Sequence, residues 1–410
     1  MGRGQGEGYY KMKELSNGIT AVPGFLASGI YAGIKKVEKK DLALIFSEKQ
    51  CTAAGLFTKN EVKGAPVIIS QRNIKKGAGQ AIIANSGNSN VCTGKQGIKD
   101  ADEMAALTAK ALSIKPNLIC VASTGVIGEP LPMEKIRNGI ANVVSKISRE
   151  GGRDAAEAIM TTDTFLKEKA VQIEINGKAV TIGGIAKGSG MIYPNMATML
   201  AFIGTDAKIA SGDLKRALKA AVDKSFNMTT VDGDTSTSDM VICLANGVSG
   251  VSITKSKGYK AFQEGLSYVC KELAKMVVKD GEGATKFVEI KIKGAKTFND
   301  AKKIGMAIAN SNLVKTALFA SDANWGRIMC AIGYSGVRIK DNKIDIFFDN
   351  VKMVGNGVGL GKDAEREATE ALKQKEFAIT IDLRLGKAEA ALWTCDFSYD
   401  YVRINAAYRT

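Results

Sequence analysis

The chain contains no histidine in its 410 residues. That absence excludes Ser-His-Asp triads, Cys-His dyads and every His-ligated metal site. A nucleophilic enzyme built from this sequence must take its base from Lys, a carboxylate, Tyr or an α-amino group. An α-amine titrates near ~8 without any tuning by burial, close to the working range. Paired cysteines are also missing. Cysteines 51, 92, 120, 243, 270, 330 and 395 are scattered, odd in number and form no CxxC. They read as reduced, mostly core thiols of a cytoplasmic protein, not as a disulfide frame or a zinc site. No window approaches the ~20 apolar residues that span a bilayer, and the opening Met1-Gly-Arg-Gly-Gln-Gly-Glu-Gly8 has no apolar signal core. The net charge of +15 raises a nucleic-acid partner. However, the lysines alternate with acids, as in Lys35-Lys36-Val37-Glu38-Lys39-Lys40-Asp41, and no long basic tract appears. A solvated, Lys-rich surface that attracts small anions is the expectation, with no nucleic-acid or membrane partner.

What the chain does have is strand and helix runs that alternate without a strict βαβ beat. Residues 9–84 read as short strands and turns, with a hairpin turn at Asn17-Gly18 and buried strands at 42–46 and 81–84. Later strands are expected at 118–122, 239–244, 288–292, 343–348, 377–383 and 388–395, and an antiparallel pair over 170–184 turns at Asn176-Gly177. Helical spacing marks 99–112, 132–148, 152–160, 211–225, 259–278, 300–313, 323–334 and 361–374. The pattern favours a layered α/β fold with mixed sheets over a doubly wound parallel one. No internal repeat or low-complexity linker divides it.

The stretch from Lys187 to Asp206 concentrates the unusual features. Gly188-Ser189-Gly190 precedes a rigid Tyr193-Pro194-Asn195 corner, and Met199 to Ile203 has the length of a buried strand. Thr198 opens that strand. It reads either as a strand-favouring residue or as a hydroxyl nucleophile on a rigid element, whose own α-amine a cut before it would place beside the hydroxyl. Ser123-Thr124-Gly125 follows another buried strand and offers a hydroxyl and backbone N–H groups to an oxyanion, or is simply a turn. Two lookalikes fail on their residues. Asn356 and Asp363 spoil a phosphate loop at 355–363, and Thr237 stands where a calcium loop over 232–239 needs glycine. The second remains a turn-rich loop suited to lining a pocket.

A set of motifs in order carries a resemblance: Asn85-Ser-Gly-Asn88, Cys92-Thr-Gly94, Ser123-Thr-Gly-Val-Ile-Gly128, Met160-Thr-Thr-Asp-Thr164, Lys187-Gly-Ser-Gly-Met191, Pro194-Asn-Met-Ala-Thr-Met-Leu200, Thr230-Val-Asp-Gly-Asp-Thr-Ser-Thr237, Gly281-Glu-Gly-Ala-Thr285, Asn324-Trp-Gly-Arg327 and Tyr399-Asp-Tyr-Val-Arg-Ile-Asn405. From about Asn17 to the C-terminus the chain resembles the ornithine acetyltransferase (glutamate N-acetyltransferase) family of arginine biosynthesis. Pro-Asn-Met-Ala-Thr-Met-Leu is the specific piece. Ser89, Val91 and Ala323 depart from the family pattern without touching its chemistry.

The resemblance implies an α/β, αββα-type sandwich like that of N-terminal-nucleophile enzymes, with a smaller α/β domain. It implies self-cleavage between Ala197 and Thr198 into an α chain of 1–197 and a β chain of 198–410, assembled as two of each. Thr198 then takes the acetyl group of N2-acetylornithine and passes it to glutamate by a ping-pong route. Thr124 and Gly125 match the oxyanion hole, and Thr161, Lys187, Thr198, Glu282, Asn405 and Thr410 match the substrate-binding set. No metal or organic cofactor is implied. Use of acetyl-CoA as a second donor is left open, and a self-processing Thr-nucleophile aminopeptidase or amidase is the alternative.

Overall fold

The computed structural model describes residues 12–193 and 199–407. Ala197, Thr198 and Thr410 lie outside the described residues. The first eleven strands are β1 (Met12–Leu15), β2 (Phe25–Ile30), β3 (Leu42–Phe57), β4 (Ala78–Asn88), β5 (Ile119–Val126), β6 (Lys167–Ile175), β7 (Lys178–Lys187), β8 (Leu200–Thr205), β9 (Lys208–Ile209), β10 (Met240–Ala245) and β11 (Ser252–Ile253). All but β9 and β11, which pair with each other, join one nine-stranded sheet in the order β1-β6-β7-β8-β10-β3-β4-β5, with β2 on the first half of β3. The sheet is mixed. β8–β10 and β4–β5 run parallel, and the other neighbours are antiparallel.

Alternation along these strands explains the layering. In β10, Met240, Ile242 and Leu244 enter a core shared with Leu200 and Phe202 of β8, Ile82 and Ala84 of β4, and Cys120 and Ala122 of β5. Their sequence neighbours face outward. Val241 and Cys243 meet α5 (Ser211–Asp223) and α6 (Tyr259–Lys279). On the other half, Ile83 of β4 and Val121 of β5 meet α1 (Ala65–Asn73), α2 (Gly94–Leu112) and α3 (Met133–Ser145). Long β3 belongs to both halves, so the sheet closes on itself as helix, sheet, sheet, helix. The short helix α4 (Gly152–Ala158) adds alanines to the inner core. Each large side chain buried there contributes about 1.5–3 kcal/mol.

A second unit follows α6. Strands β12 (Phe287–Ala295), β13 (Asp345–Phe348), β14 (Val351–Gly355), β15 (Val358–Gly359), β16 (Glu376–Asp382) and β17 (Ala388–Cys395) form a six-stranded sheet, ordered β15-β14-β13-β16-β12-β17. Helices α7 (Phe298–Ala309), α8 (Asn312–Phe319), α9 (Trp325–Gly333) and α10 (Lys362–Leu372) supply its core partners. α11 (Tyr399–Ala407) then returns to the first unit. The structural boundary therefore lies between α6 and β12, whereas residues 197 and 198 precede β8, an interior strand of the large sheet.

Several sequence expectations change. Asn17-Gly18 begins a 3-10 turn, not a hairpin. The helix expected over 300–313 breaks at Asn310, where Ser311 caps a new helix by accepting from the Val314 N–H. The region read as strands and turns also contains α1. Of the thiols expected to lie mostly in the core, Cys92 and Cys330 are exposed and the other five are buried. The Asn176-Gly177 hairpin is present, joining β6 to β7. Among the described residues no helix is long and apolar enough to cross a membrane.

Candidate active site

The parallel register of β4 and β5 places Ser86 beside Thr124 and Gly87 beside Gly125. Beneath them Ser123 Oγ donates to Asn85 Oδ1 at 2.6 Å, and Asn85 Nδ2 donates to the Asn88 carbonyl at 2.8 Å. Gly125 has φ +131°, and a Cβ there would lie 2.4 Å from the Gly87 carbonyl carbon and 2.6 Å from Asn88 N. Both torsion and space demand glycine. Gly125→Ala should therefore destabilise the fold by about 1–3 kcal/mol. Gly128→Ala is the control, since Gly128 also has positive φ but nothing lies within 4 Å of its would-be Cβ. Equal effects of the two substitutions in chemical denaturation would refute the close-packing argument.

At the end of β7, Lys187 is buried and its Nζ donates to Thr161 Oγ1 at 2.7 Å. Asp163 organises the surroundings. Its Oδ2 accepts from the Thr161 N–H at 2.9 Å and lies 3.8 Å from Lys187 Nζ, while its Oδ1 accepts from Lys167 Nζ and the Gly188 N–H, each at 2.7 Å. Burial alone would raise the Asp163 carboxyl, but Lys187 and Lys167 hold it well below the usual carboxylate range. Burial pushes the Lys187 ammonium down; Asp163 opposes that shift, and Lys167 reinforces it. Lys167 also pairs with Asp280, which accepts from the Thr164 N–H at 2.9 Å. The Gly188 amide, in a glycine loop, could have served a substrate carboxylate. Instead Asp163 already occupies it.

The opposite side of the cavity is acidic. Glu282 Oε2 accepts from Asn405 Nδ2 at 2.9 Å, and the Glu282 N–H donates to the Ser189 carbonyl at 3.0 Å. A Cβ on Gly190 would fall 2.3–2.7 Å from the Glu282 carboxyl atoms, so this carboxylate is seated directly against the glycine loop.

Thr124, Gly125, Thr161, Lys187, Glu282 and Asn405 all line one cavity of about 70 Å³. Residues from β5, the loop after α4, β7, the loop after α6 and α11 thus converge although they span the chain. A larger groove of about 570 Å³, walled by Met228, Tyr268, Phe298 and Trp393, does not include these groups.

Sequence reasoning missed several neighbours. Lys35, taken as part of a solvated basic surface, donates to the Met160 and Lys40 carbonyls at 2.8 Å, and burial pushes its ammonium down to about 8. Asp163, Lys167 and Asp280 went unassigned. So did Asp232, whose two oxygens accept from Met191 N–H at 2.6 Å and Ile192 N–H at 2.8 Å, with burial raising it to about 6. The turn-rich loop over 232–239 does line the cavity, through Ser236, Thr237 and Ser238. Its signal was an Asp at each end of a small-residue run.

The site can hold an anion at Lys187, a cation at Glu282 and a developing oxyanion at Thr124-Gly125. Comparison with known proteins adds the lineage. The chain is 51% identical over 403 residues to a Symbiobacterium thermophilum protein named Arginine biosynthesis bifunctional protein ArgJ, covering 97% of this chain and all of the relative. It is 48% identical over 411 residues to Glutamate N-acetyltransferase of Methanocaldococcus jannaschii, covering 97% of this chain and all of that protein. A solved structure of ornithine acetyltransferase from Mycobacterium tuberculosis, complexed with ornithine, is 40% identical, covers 45% of this chain and 98% of its own, and has a TM-score of 0.42. The family model described as the ArgJ family matches residues 26–410, and the chain belongs to that family.

Proposed function

We propose that this acyltransferase moves the acetyl group of N2-acetylornithine to glutamate, releasing ornithine and N-acetylglutamate. In this reading the chain first cuts itself between Ala197 and Thr198. The Thr198 hydroxyl then attacks the acetyl carbonyl with its own α-amine as base, ornithine leaves, and glutamate attacks the acetyl-threonine ester. The acetyl carbonyl oxygen, of the donor amide in the first half-reaction and of the acetyl-threonine ester in the second, becomes an oxyanion at Thr124-Gly125.

The observation that carries the reading is the convergence of a buried lysine with Thr161, a carboxylate with Asn405, and the Thr124-Gly125 strand end in one cavity. Both acetyl donor and acceptor are amino acids. Lys187 suits their α-carboxylate and Glu282 an amino group, which lets one site serve both half-reactions in turn. The relatives' names point the same way. The absence of histidine leaves the α-amine as the simplest base.

The test is acetyl transfer by purified protein, with glutamate and either acetylornithine or acetyl-CoA as donor. Acetylornithine should support N-acetylglutamate formation with parallel double-reciprocal lines. Hydrolysis of acetylornithine independent of glutamate would replace this reading with an amidase. Turnover with acetyl-CoA would add a second donor. Two α and two β chains in solution are the expected assembly.

A further inference from the structure

The groove left outside the active cavity lies where the two units meet. One wall is α6, and the other is β17 at Ala390, Ala391 and Trp393 together with Phe298 of α7. Among the described residues it shares no lining group with the cavity that holds Lys187 and Glu282. Its volume of about 570 Å³ is on the scale of small-molecule sites, roughly 300–1,000 Å³.

Helical spacing explains what α6 presents. Gln263, Ser267 and Lys271 follow one another at intervals of four, and Glu264 and Tyr268 form the adjoining row. Gln263 Nε2 is spent, donating to the Ala217 carbonyl at 3.0 Å and to Ser267 Oγ at 3.1 Å. Gln263 Oε1 is buried and accepts nothing, and the same holds for Glu264 Oε2. They are two of the four such side-chain atoms among the described residues. Glu264 forms no ion pair among those residues either. Buried acceptors without donors are rare in native proteins, and each carries the full cost of its desolvation. Two on consecutive residues of one groove wall call for a ligand that brings N–H groups. Both side chains have several rotatable bonds, so they can turn toward such a donor.

Positive charge stands nearby. Lys271 Nζ lies 5.6 Å from the centre of the Trp393 ring. Neither Lys271 nor Lys224 makes a side-chain hydrogen bond or ion pair among the described residues. Glu264 and Lys271 are seven residues apart on α6, about 10 Å along the axis, and their long side chains close part of that span without meeting. The walls beside them are apolar, at Met228, Phe298 and Trp393. An inorganic anion would meet Glu264 and Glu389 here, and a bare cation would meet Lys224 and Lys271. A zwitterion suits both ends. We infer that this groove binds an α-amino acid with a large apolar side chain. Its ammonium donates to Gln263 and Glu264, its carboxylate faces Lys271, and its side chain lies against Phe298 and Trp393. This site is separate from acetyl transfer and does not depend on a cut at Ala197–Thr198.

The chain has two tryptophans, so Trp325→Phe leaves Trp393 as the reporter of the groove. Titrating that protein with L-phenylalanine, without acetyl donor, should give a saturable change in tryptophan emission at millimolar concentration or below. L-Phenylalaninamide lacks the carboxylate and N-acetyl-L-phenylalanine lacks the ammonium, and each should bind about 10-fold or more weakly. Adding Glu264→Gln should weaken L-phenylalanine by about 10–100-fold and leave the N-acetyl compound unchanged. Adding Lys271→Met should weaken L-phenylalanine but not the amide. Thr161→Val, in the other cavity, should leave the titration as it was. Equal binding of all three compounds, which needs no variant to detect, would overturn the assignment, as would the absence of a saturable change. A loss of signal in Thr161→Val would place the bound amino acid in the active cavity and overturn it too. An emission change that follows protein concentration with no amino acid present would give the groove to a second copy of the chain instead.

Discussion

Thr198→Ala should yield one uncut chain of 43.5 kDa with no measurable acetyl transfer. Two functions are lost through one atom. In the proposed mechanism the hydroxyl attacks the preceding peptide carbonyl during maturation, and later attacks the acetyl group of the donor. Without it neither ester forms, and this histidine-free chain has no substitute dyad. Removing a covalent nucleophile typically costs about 10⁶ in kcat. Thr198→Ser keeps the hydroxyl and should still give fragments 1–197 and 198–410, with slower transfer because the methyl that restricts the rotamer is gone. Intact-mass spectrometry and a donor–acceptor assay on the same preparation distinguish these outcomes. A cut and active alanine variant would refute the assigned role.

Much of the fold was legible because strand and helix periodicities differ so sharply. β10 reads as a solid apolar run, and a strand buried on both faces is what the four-layer sandwich makes of it. α1 escaped notice because Ala65-Pro-Val-Ile-Ile69 has no polar stripe, so nothing separates it from a buried strand. The break after α7 depends on the Ser311 cap, a local hydrogen bond that competes with continued helix only by a narrow margin.

At the site, the motifs grouped Thr124, Gly125, Thr161, Lys187, Glu282 and Asn405, and all six line one cavity. What the motifs could not convey is which polar groups are already spent. The Gly188 amide lies within a glycine loop that invites an anion, yet Asp163, twenty-five residues away, fills that role. Lys35 sits among charges that look solvated, but the fold half-buries it against the Met160 carbonyl. Such facts depend on pairing between distant segments, and no local pattern records them.

Lys167→Met should destabilise the protein by about 3–5 kcal/mol, a large share of the ~5–15 kcal/mol that holds a typical domain folded. Lys167 has no exposed side-chain surface, as is true of Asp163, and Asp280 is almost as enclosed. Methionine fills a similar volume but leaves two carboxylates facing each other without the ammonium between them. Asp163 would retain only Lys187, at 3.8 Å. Its grip on the Thr161 and Gly188 N–H groups would slacken, so KM for the amino-acid substrates should rise. Because the Asp163 pKa is depressed in the native state, its contribution is complete above the unfolded value near ~3.9 and is lost as pH falls toward the folded one. The stability gap between wild type and variant should therefore be widest near neutrality and narrow below about pH 4. Adding Asp280→Asn removes one stranded charge and should recover part of the loss. Urea titrations from pH 3 to 7 measure all three proteins. A gap that stays constant across that range, or a double variant weaker than the single one, would show that Lys167 fills space without serving as the counter-ion of this layer.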